Sequence, residues 1–266
     1  MTNAGCTLEP TPGTVGRHVN GREYLINVPA GLPGPSAPLL LGLHGFLQAP
    51  QEHEKVTGWS GVAASQKFLV AYPSAQPQRS AWDFSTGSDD LAYLRDVVRD
   101  ISSTWCVDPH RVYVEGHSSG ALMAARLACD AFDLFASVAV YAGVDPSLLG
   151  SPCAQDHSAG RAISIGIFHG IDDPISDFPL AIQHRDNWLR RNDCSSTPKT
   201  EPNVPVEASV YGPCKAGVEV VWRVYKAGHL WPTGADGVDI IRRMWEFFLR
   251  NPFPASPSTI STVSCP

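Results

Sequence analysis

The chain has 266 residues, of which 43% are hydrophobic and 17% are charged, a composition typical of a globular protein with a large core and unlike that of a disordered chain. Its formal net charge of −6 argues against nucleic acid or an anionic membrane as a partner, because both are bound through clustered Lys and Arg. No run approaches the roughly 18 consecutive apolar residues of a membrane helix.

The cysteines are dispersed along the chain, and none forms a CxxC pair. They are Cys6, Cys106, Cys129, Cys153, Cys194, Cys214 and Cys265. Zinc sites and thioredoxin-like sites use closely spaced pairs, so the dispersed cysteines do not support either of them. They favour structural disulfides, with buried thiols as the alternative. We therefore expect a secreted protein with at least one unpaired thiol, and neither a metal nor a cofactor.

Short apolar runs alternate with longer amphipathic stretches. The predicted strands are residues 22–29, 38–45, 68–73, 111–116, 135–143, 164–170 and 219–228. The predicted helices are residues 90–105, 119–129, 180–191 and 238–250. Several strands are apolar on both faces, so the pattern predicts an α/β fold whose mainly parallel sheet has helices on both faces.

No composition shift divides residues 7–250, which we interpret as one domain. Residues 251–266 are rich in Pro, Ser and Thr, as expected of an extended tail or a linker remnant.

Residues 111–129 predict a strand, a sharp turn and a helix around Gly116, Ser118 and Gly120. A nucleophilic serine on such a turn needs strained backbone angles, and glycines two residues before and after it remove colliding side chains. We therefore interpret Ser118 as a nucleophile. The alternative is an ordinary loop that happens to have the GxSxG sequence pattern.

A serine hydroxyl needs a general base and a carboxylate that orients the base. The predicted strand 164–170 is followed by Asp172 and Asp173, and the predicted strand 219–228 by His229. The order Ser, Asp, His is that of α/β-hydrolases. Asp177 is an alternative acid, and each of these residues also has an ordinary loop role as its alternative.

The oxyanion formed during acyl transfer needs preorganised N–H donors. The backbone amide of Ser119 follows the nucleophile, and that of Phe46 follows the predicted strand 38–45. We expect these two amides to form the oxyanion hole. Trp82 and Trp231 are candidates for stacking on a substrate, with simple packing as the alternative.

Several longer motifs resemble the secreted esterases of the polyhydroxybutyrate depolymerase and feruloyl esterase type, within the α/β-hydrolases and often classed with carbohydrate esterase family one. They are LHG at 43–45, CxDxxRVYVxGxSxG at 106–120, HGxxDP at 169–174, WxxxNxC at 188–194 and GHxWP at 228–232. The resemblance covers most of the chain and places Asp173 at the position of the catalytic acid.

The chain departs from the family pattern near the expected pocket. Phe46 stands where many depolymerases have Cys, Ala121 where Gly is frequent, and Thr233 where Gly often follows WP. The resemblance also suggests the disulfide Cys194–Cys214, with Cys129–Cys153 and Cys6–Cys106 as further pairs that leave Cys265 unpaired.

The resemblance implies a secreted, metal-independent serine carboxylesterase, which we expect to be a monomer. Its expected substrates are feruloyl or related hydroxycinnamoyl esters of plant polysaccharides. The alternatives are a polyhydroxyalkanoate or other polyester depolymerase and an acetylxylan esterase. A non-catalytic binding module and a peptidase of the same fold are rival classes.

Overall fold

The computed structural model describes residues 11–32, 36–76, 80–150, 153, 161–202 and 206–254. Within these ranges the strands are β1 (Gly13–Val19), β2 (Arg22–Val28), β3 (Ala37–Leu43), β4 (Leu69–Pro73), β5 (Val107–His117), β6 (Ser137–Tyr141), β7 (Ser164–Gly170), β8 (Lys199–Thr200), β9 (Glu207–Tyr211) and β10 (Val220–Tyr225). The helices are α1 (Pro50–Thr57), α2 (Trp59–Gln66), α3 (Asp89–Thr104), α4 (Ser119–Asp130), α5 (Phe178–Arg191) and α6 (Gly234–Arg250), with 3₁₀ turns at Pro146–Leu149 and Lys215–Gly217.

The strands form a single sheet in the order β1-β2-β4-β3-β5-β6-β7-β10-β9-β8. The central pairs from β4 through β3, β5, β6 and β7 to β10 are parallel. Antiparallel strands β1 and β2 continue the sheet at one edge, and β9 and β8 at the other. The predicted mainly parallel α/β architecture is confirmed. The carboxyl ends of the parallel strands meet at one edge, where open α/β sheets collect functional groups.

Both faces of the sheet carry an apolar core. Every residue of β3, β6 and β7 is buried. Alternate residues of β5 belong to different cores, with Val112 and Val114 in one and Tyr113 in the other. The second core also contains Trp59 of α2 and Phe248 of α6. Helices therefore cover both faces, as predicted from the continuous apolar runs.

Five elements were not predicted from the sequence: β1, α1, α2, β8 and β9. The buried residues of α1 are Pro50, His53 and Thr57, so this helix lacks the apolar period that identifies an amphipathic helix. Strand β1 is mostly exposed and therefore lacks the alternation of a half-buried strand.

The structure confirms two of the suggested disulfides. Cys129 at the end of α4 is bonded to Cys153, and Cys194 after α5 is bonded to Cys214. Cys6 and Cys265 lie outside the described residues, so the pairing of Cys6 stays a prediction.

The predicted tail, residues 251–266, is described only as far as residue 254. There the amide of Phe253 donates to the carbonyl of His110 in β5, at 2.9 Å. In the described part of the chain, no helix combines the length and apolarity needed to cross a bilayer.

Candidate active site

Ser118 stands on a strained turn between β5 and α4. Its φ is 54° and its ψ is −116°, a region that residues other than glycine adopt at an energetic cost and that is typical of functional sites. Its amide donates to the carbonyl of Tyr141 in β6 at 3.0 Å. A Cβ on Gly116 would lie 2.2 Å from the Gly120 oxygen, and a Cβ on Gly120 would lie 2.0 Å from the Leu43 oxygen. The turn therefore requires both glycines.

The structure brings Ser118, His229 and Asp173 into contact. The His229 Nε2 lies 2.7 Å from the Ser118 Oγ, and its Nδ1 lies 2.9 Å and 3.1 Å from the two Asp173 carboxylate oxygens. A carboxylate on Nδ1 places a hydrogen there, which leaves Nε2 free to accept from the serine hydroxyl. The alternative acids Asp172 and Asp177 are both exposed.

The carboxylate of Asp173 is also held by backbone amides of its own loop. Its Oδ1 accepts hydrogen bonds from the amides of Ile175 and Ser176 at 2.8 Å and 2.9 Å, and the residue is 5% exposed. The buried His169 lies 3.8 Å from the other oxygen, and its Nε2 donates to the Ser176 carbonyl. Burial lowers the pKa of His169, so this ring is neutral and leaves the carboxylate paired with His229.

The loop after β3 is held by side chains as well as by its own backbone. The His44 Nδ1 donates to the Gly45 carbonyl at 2.8 Å, and its Nε2 accepts from the Ala75 amide at 3.0 Å. Burial lowers the pKa of His44 to about 4, which keeps the ring neutral and able to play both roles. The Gly45 amide donates to the Gln48 side chain at 2.8 Å.

The amides of Phe46 and Ser119 are available to a ligand. Among the described residues, neither donates a hydrogen bond to a backbone acceptor outside regular secondary structure. Ser119 is the first residue of α4, where backbone amides lack intrahelical partners and carry a partial positive charge. The Ser119 amide directly follows Ser118 in the chain, and the oxyanion role of both amides stays a prediction.

Both tryptophans predicted to bind substrate are packed inside the protein. Trp82 is 3% exposed, and its indole N–H donates to the His44 carbonyl at 2.9 Å. Trp231 is 7% exposed, with its ring edge-on to His117 and Tyr141. The structure thus assigns Trp82 a contact with the loop after β3, while contact of either ring with a substrate stays a prediction.

Comparison with known proteins identifies the family. A family model described as "Esterase PHB depolymerase" matches residues 22–186. The chain belongs to this esterase family. The resemblance seen in the sequence is confirmed, and the protein is a hydrolase of carboxylic esters.

Curated relatives of the esterase differ in their substrates. It is 29% identical over 234 residues to the bifunctional acetylxylan esterase/xylanase XynS20E of Neocallimastix patriciarum, covering 85% of this chain and 33% of that protein. It is 27% identical over 254 residues to feruloyl esterase C of Emericella nidulans, covering 92% of this chain and 90% of that protein. It is 34% identical over 137 residues to poly(3-hydroxyalkanoate) depolymerase C of Paucimonas lemoignei, covering 48% of this chain and 33% of that protein.

Solved structures support the fold of the esterase. An acetyl xylan esterase from Aspergillus awamori superposes with a TM-score of 0.72 at 20% identity, covering 90% of this chain and 99% of that one. At this identity the likeness establishes the fold, which is the expected α/β-hydrolase fold.

Sequence reasoning missed the buried polar side chains beneath the esterase site. His53 in α1 and Glu115 in β5 are both fully buried and are hydrogen-bonded at 2.6 Å. His117 and Tyr141, at the ends of β5 and β6, contact the loop that carries His229. A charged residue directly after the apolar run VYV at 112–114 was the signal for Glu115.

Large apolar side chains are exposed close in sequence to the candidate site residues. Phe46, Leu47, Ile175 and Leu230 are between 57% and 76% exposed. Each lies within two residues of Asp173, of His229 or of the Phe46 amide. We call these four side chains the apolar rim.

Proposed function

We propose that the esterase cleaves its substrate through an acyl-enzyme on Ser118. The main support for this mechanism is the 2.7 Å contact between the Ser118 Oγ and the His229 Nε2, which is the geometry of an activated nucleophile. The hydroxyl gives its proton to His229 as Oγ attacks the ester carbonyl, and His229 returns the proton to the departing alcohol. Water then repeats the sequence on the acyl-enzyme and releases the acid.

Asp173 and the two free amides complete the proposed mechanism. The buried Asp173 carboxylate fixes the ring of His229 and stabilises the imidazolium that forms in each step. The amides of Phe46 and Ser119 bind the oxyanion of each tetrahedral intermediate. Donors of this kind are each worth about 2.7–4 kcal/mol of transition-state stabilisation.

The proposed substrates are hydroxycinnamoyl esters, such as feruloyl groups on plant polysaccharide. Similarity to feruloyl esterase C over about nine tenths of both chains supports this choice. The apolar rim is also suited to an aromatic acyl group, because contact with its exposed side chains removes apolar surface from water.

A second candidate is depolymerisation of an aliphatic polyester. The four exposed apolar side chains close in sequence to the proposed site residues are suited to a water-insoluble chain, since exposed apolar clusters mark binding surfaces. Similarity to a poly(3-hydroxyalkanoate) depolymerase over about half of this chain supports the same candidate. Removal of acetyl groups from xylan is the third, supported by similarity to a bifunctional acetylxylan esterase/xylanase.

The test compares initial rates on methyl ferulate, a short-chain p-nitrophenyl ester and a suspension of polyhydroxybutyrate, with Ser118→Ala as the blank. A preference for methyl ferulate supports the hydroxycinnamoyl assignment. Clearing of the suspension without ferulate turnover replaces it with the polyester assignment. Turnover of any of these esters by Ser118→Ala at the wild-type rate contradicts the proposed mechanism itself.

We also propose an extracellular location, which the disulfides Cys129–Cys153 and Cys194–Cys214 support, because disulfides persist in oxidising compartments. The expected monomeric state remains a prediction.

A further inference from the structure

Three consecutive backbone carbonyls on the loop that carries His229 accept hydrogen bonds from three different parts of the fold. The Ala227 oxygen accepts from the Asp172 amide at 3.0 Å. The Gly228 oxygen accepts from the Tyr141 hydroxyl at 2.9 Å, and the His229 oxygen accepts from the His117 Nε2 at 2.8 Å. The loop is therefore bonded to the acid loop, to the end of β6 and to the end of β5.

Few side-chain contacts fix this loop: the His229 ring is bonded to Ser118 and Asp173, and Ala227 packs against the second core. Residues 226–230 are all exposed or partly exposed, and the side chain of Leu230 is 76% exposed. Gly228 has no side chain to bury. Because so few side-chain contacts anchor the segment, its position depends on the bonds to its backbone.

The two side-chain donors form a rigid pair. His117 and Tyr141 are directly opposite each other in the parallel pairing of β5 and β6, and their rings stack at 5.8 Å. Both residues are buried, and Trp231 packs edge-on against both rings. His117 also immediately precedes Ser118. The two rings and the turn that carries Ser118 are therefore expected to move together.

The protonation state of His117 suits this role. A carbonyl partner requires the hydrogen to be on Nε2. Burial, with smaller contributions from the nearby His53 and His229 rings, lowers the pKa of His117 to about 4. The ring therefore stays neutral at neutral pH and adds no positive charge next to the proposed base.

We propose that His117 and Tyr141 are positioning residues that hold the backbone of the His229 loop in register with Ser118. This inference rests on the proposed roles of Ser118 and His229. It goes further, because neither side chain is hydrogen-bonded to the Ser118 Oγ or to a ring nitrogen of His229, although the His117 ring packs against the His229 ring with centroids 5.5 Å apart. Their effect is on the distance between the serine oxygen and the histidine nitrogen, and a displacement of about 1 Å costs on the order of 100-fold in rate.

The test uses Tyr141→Phe and His117→Leu, which remove one donor each at similar volume. Tyr113→Phe is the matched control. Tyr113 is a fully buried tyrosine on β5 whose hydroxyl bonds to no described residue. His117→Gln is the rescue variant, since the amide nitrogen of Gln is a donor near the position of Nε2. The measurements are kcat and KM on methyl ferulate, the rate of Ser118 labelling by a fluorophosphonate, and Tm.

We expect kcat and the labelling rate to fall together, by about 10-fold for Tyr141→Phe and about 100-fold for His117→Leu, with KM nearly unchanged. His117→Gln should recover most of the loss, and Tyr113→Phe should match the wild type. Wild-type labelling rates in both donor variants overturn the inference, as does a loss that follows only the decrease in folded protein. Activity in Ser118→Ala refutes the proposed function instead, so the two failures are distinguishable.

Discussion

His53 and Glu115 are joined by a hydrogen bond of 2.6 Å in which neither side chain is exposed. His53 belongs to α1, which follows the loop carrying the Phe46 amide, and Glu115 lies on β5 three residues before Ser118. A Cβ on Gly42 would lie 2.9 Å from the Glu115 Oε1 and 3.2 Å from the His53 ring. The pair therefore links two loops of the proposed site through a space that a glycine leaves open.

Breaking this pair should destabilise the fold more than removing it altogether. Glu115→Leu leaves the His53 nitrogen buried without its partner, a change that costs about 1–3 kcal/mol. The double variant His53→Leu/Glu115→Leu leaves no polar group behind and should be more stable than Glu115→Leu. Urea unfolding of the three variants, including His53→Leu, measures the coupling. Additive losses would show that the two side chains do not interact.

Gly120→Ala should abolish activity through the backbone. The added carbon would lie 2.0 Å from the Leu43 oxygen and 2.7 Å from the His44 oxygen, so the loop that offers the Phe46 amide must move. We expect at least a 100-fold loss of kcat.

Gly61→Ala in α2 is the control for this substitution. A carbon added there would meet no atom within 4 Å, and alanine favours a helix by about 1 kcal/mol over glycine. Its kcat should equal that of the wild type. A Gly120→Ala variant with equal kcat would show that this contact does not set the loop position.

Trp82→Phe tests whether this ring acts on the loop or on the substrate. It removes the indole hydrogen bond to the His44 carbonyl, worth about 0.5–1.5 kcal/mol. If Trp82 positions the loop, rates on methyl ferulate and on a p-nitrophenyl acetate should fall by the same factor of about 2–10.

Trp59→Phe is the matched control, because Trp59 is fully buried and its indole N–H bonds to no described residue. A loss confined to methyl ferulate in Trp82→Phe would instead indicate stacking of the ring on the aromatic acyl group.

Stability should fall as the pH decreases from about 6.5 to about 4. Burial lowers the pKa of His44, His117 and His184 to about 4, whereas in the unfolded chain it is about 6.5. Between these values the unfolded state binds more protons than the folded state, so the free energy of unfolding decreases as the pH is lowered. Each ring contributes about 1.4 kcal/mol per pH unit in this range. Urea midpoints at pH 7, 6 and 5 measure the effect, and a constant midpoint would contradict it.

The central sheet could be predicted because its strands are continuous apolar runs, as in β3, β6 and β7. Ser118, Asp173 and His229 could be placed together because each follows such a strand. Elements whose buried face is polar or absent, such as α1 and β1, gave no periodic signal.

The buried polar contacts were the least predictable part of the site. His53 and Glu115 are separated by 62 residues, and no local pattern marks them as partners. For Trp82, the sequence shows a large ring near a predicted site but not whether the ring faces the substrate or the His44 carbonyl. Such contacts depend on which loops the fold brings together.

Covalent labelling of Ser118 tests the central claim most directly. The wild-type protein and Ser118→Ala are treated with a fluorophosphonate, and intact mass and peptide mapping locate the adduct. We predict one adduct per wild-type chain, on Ser118, with parallel loss of ester hydrolysis, and neither adduct nor hydrolysis in Ser118→Ala. An adduct on another residue, or hydrolysis that persists in Ser118→Ala, would contradict the account.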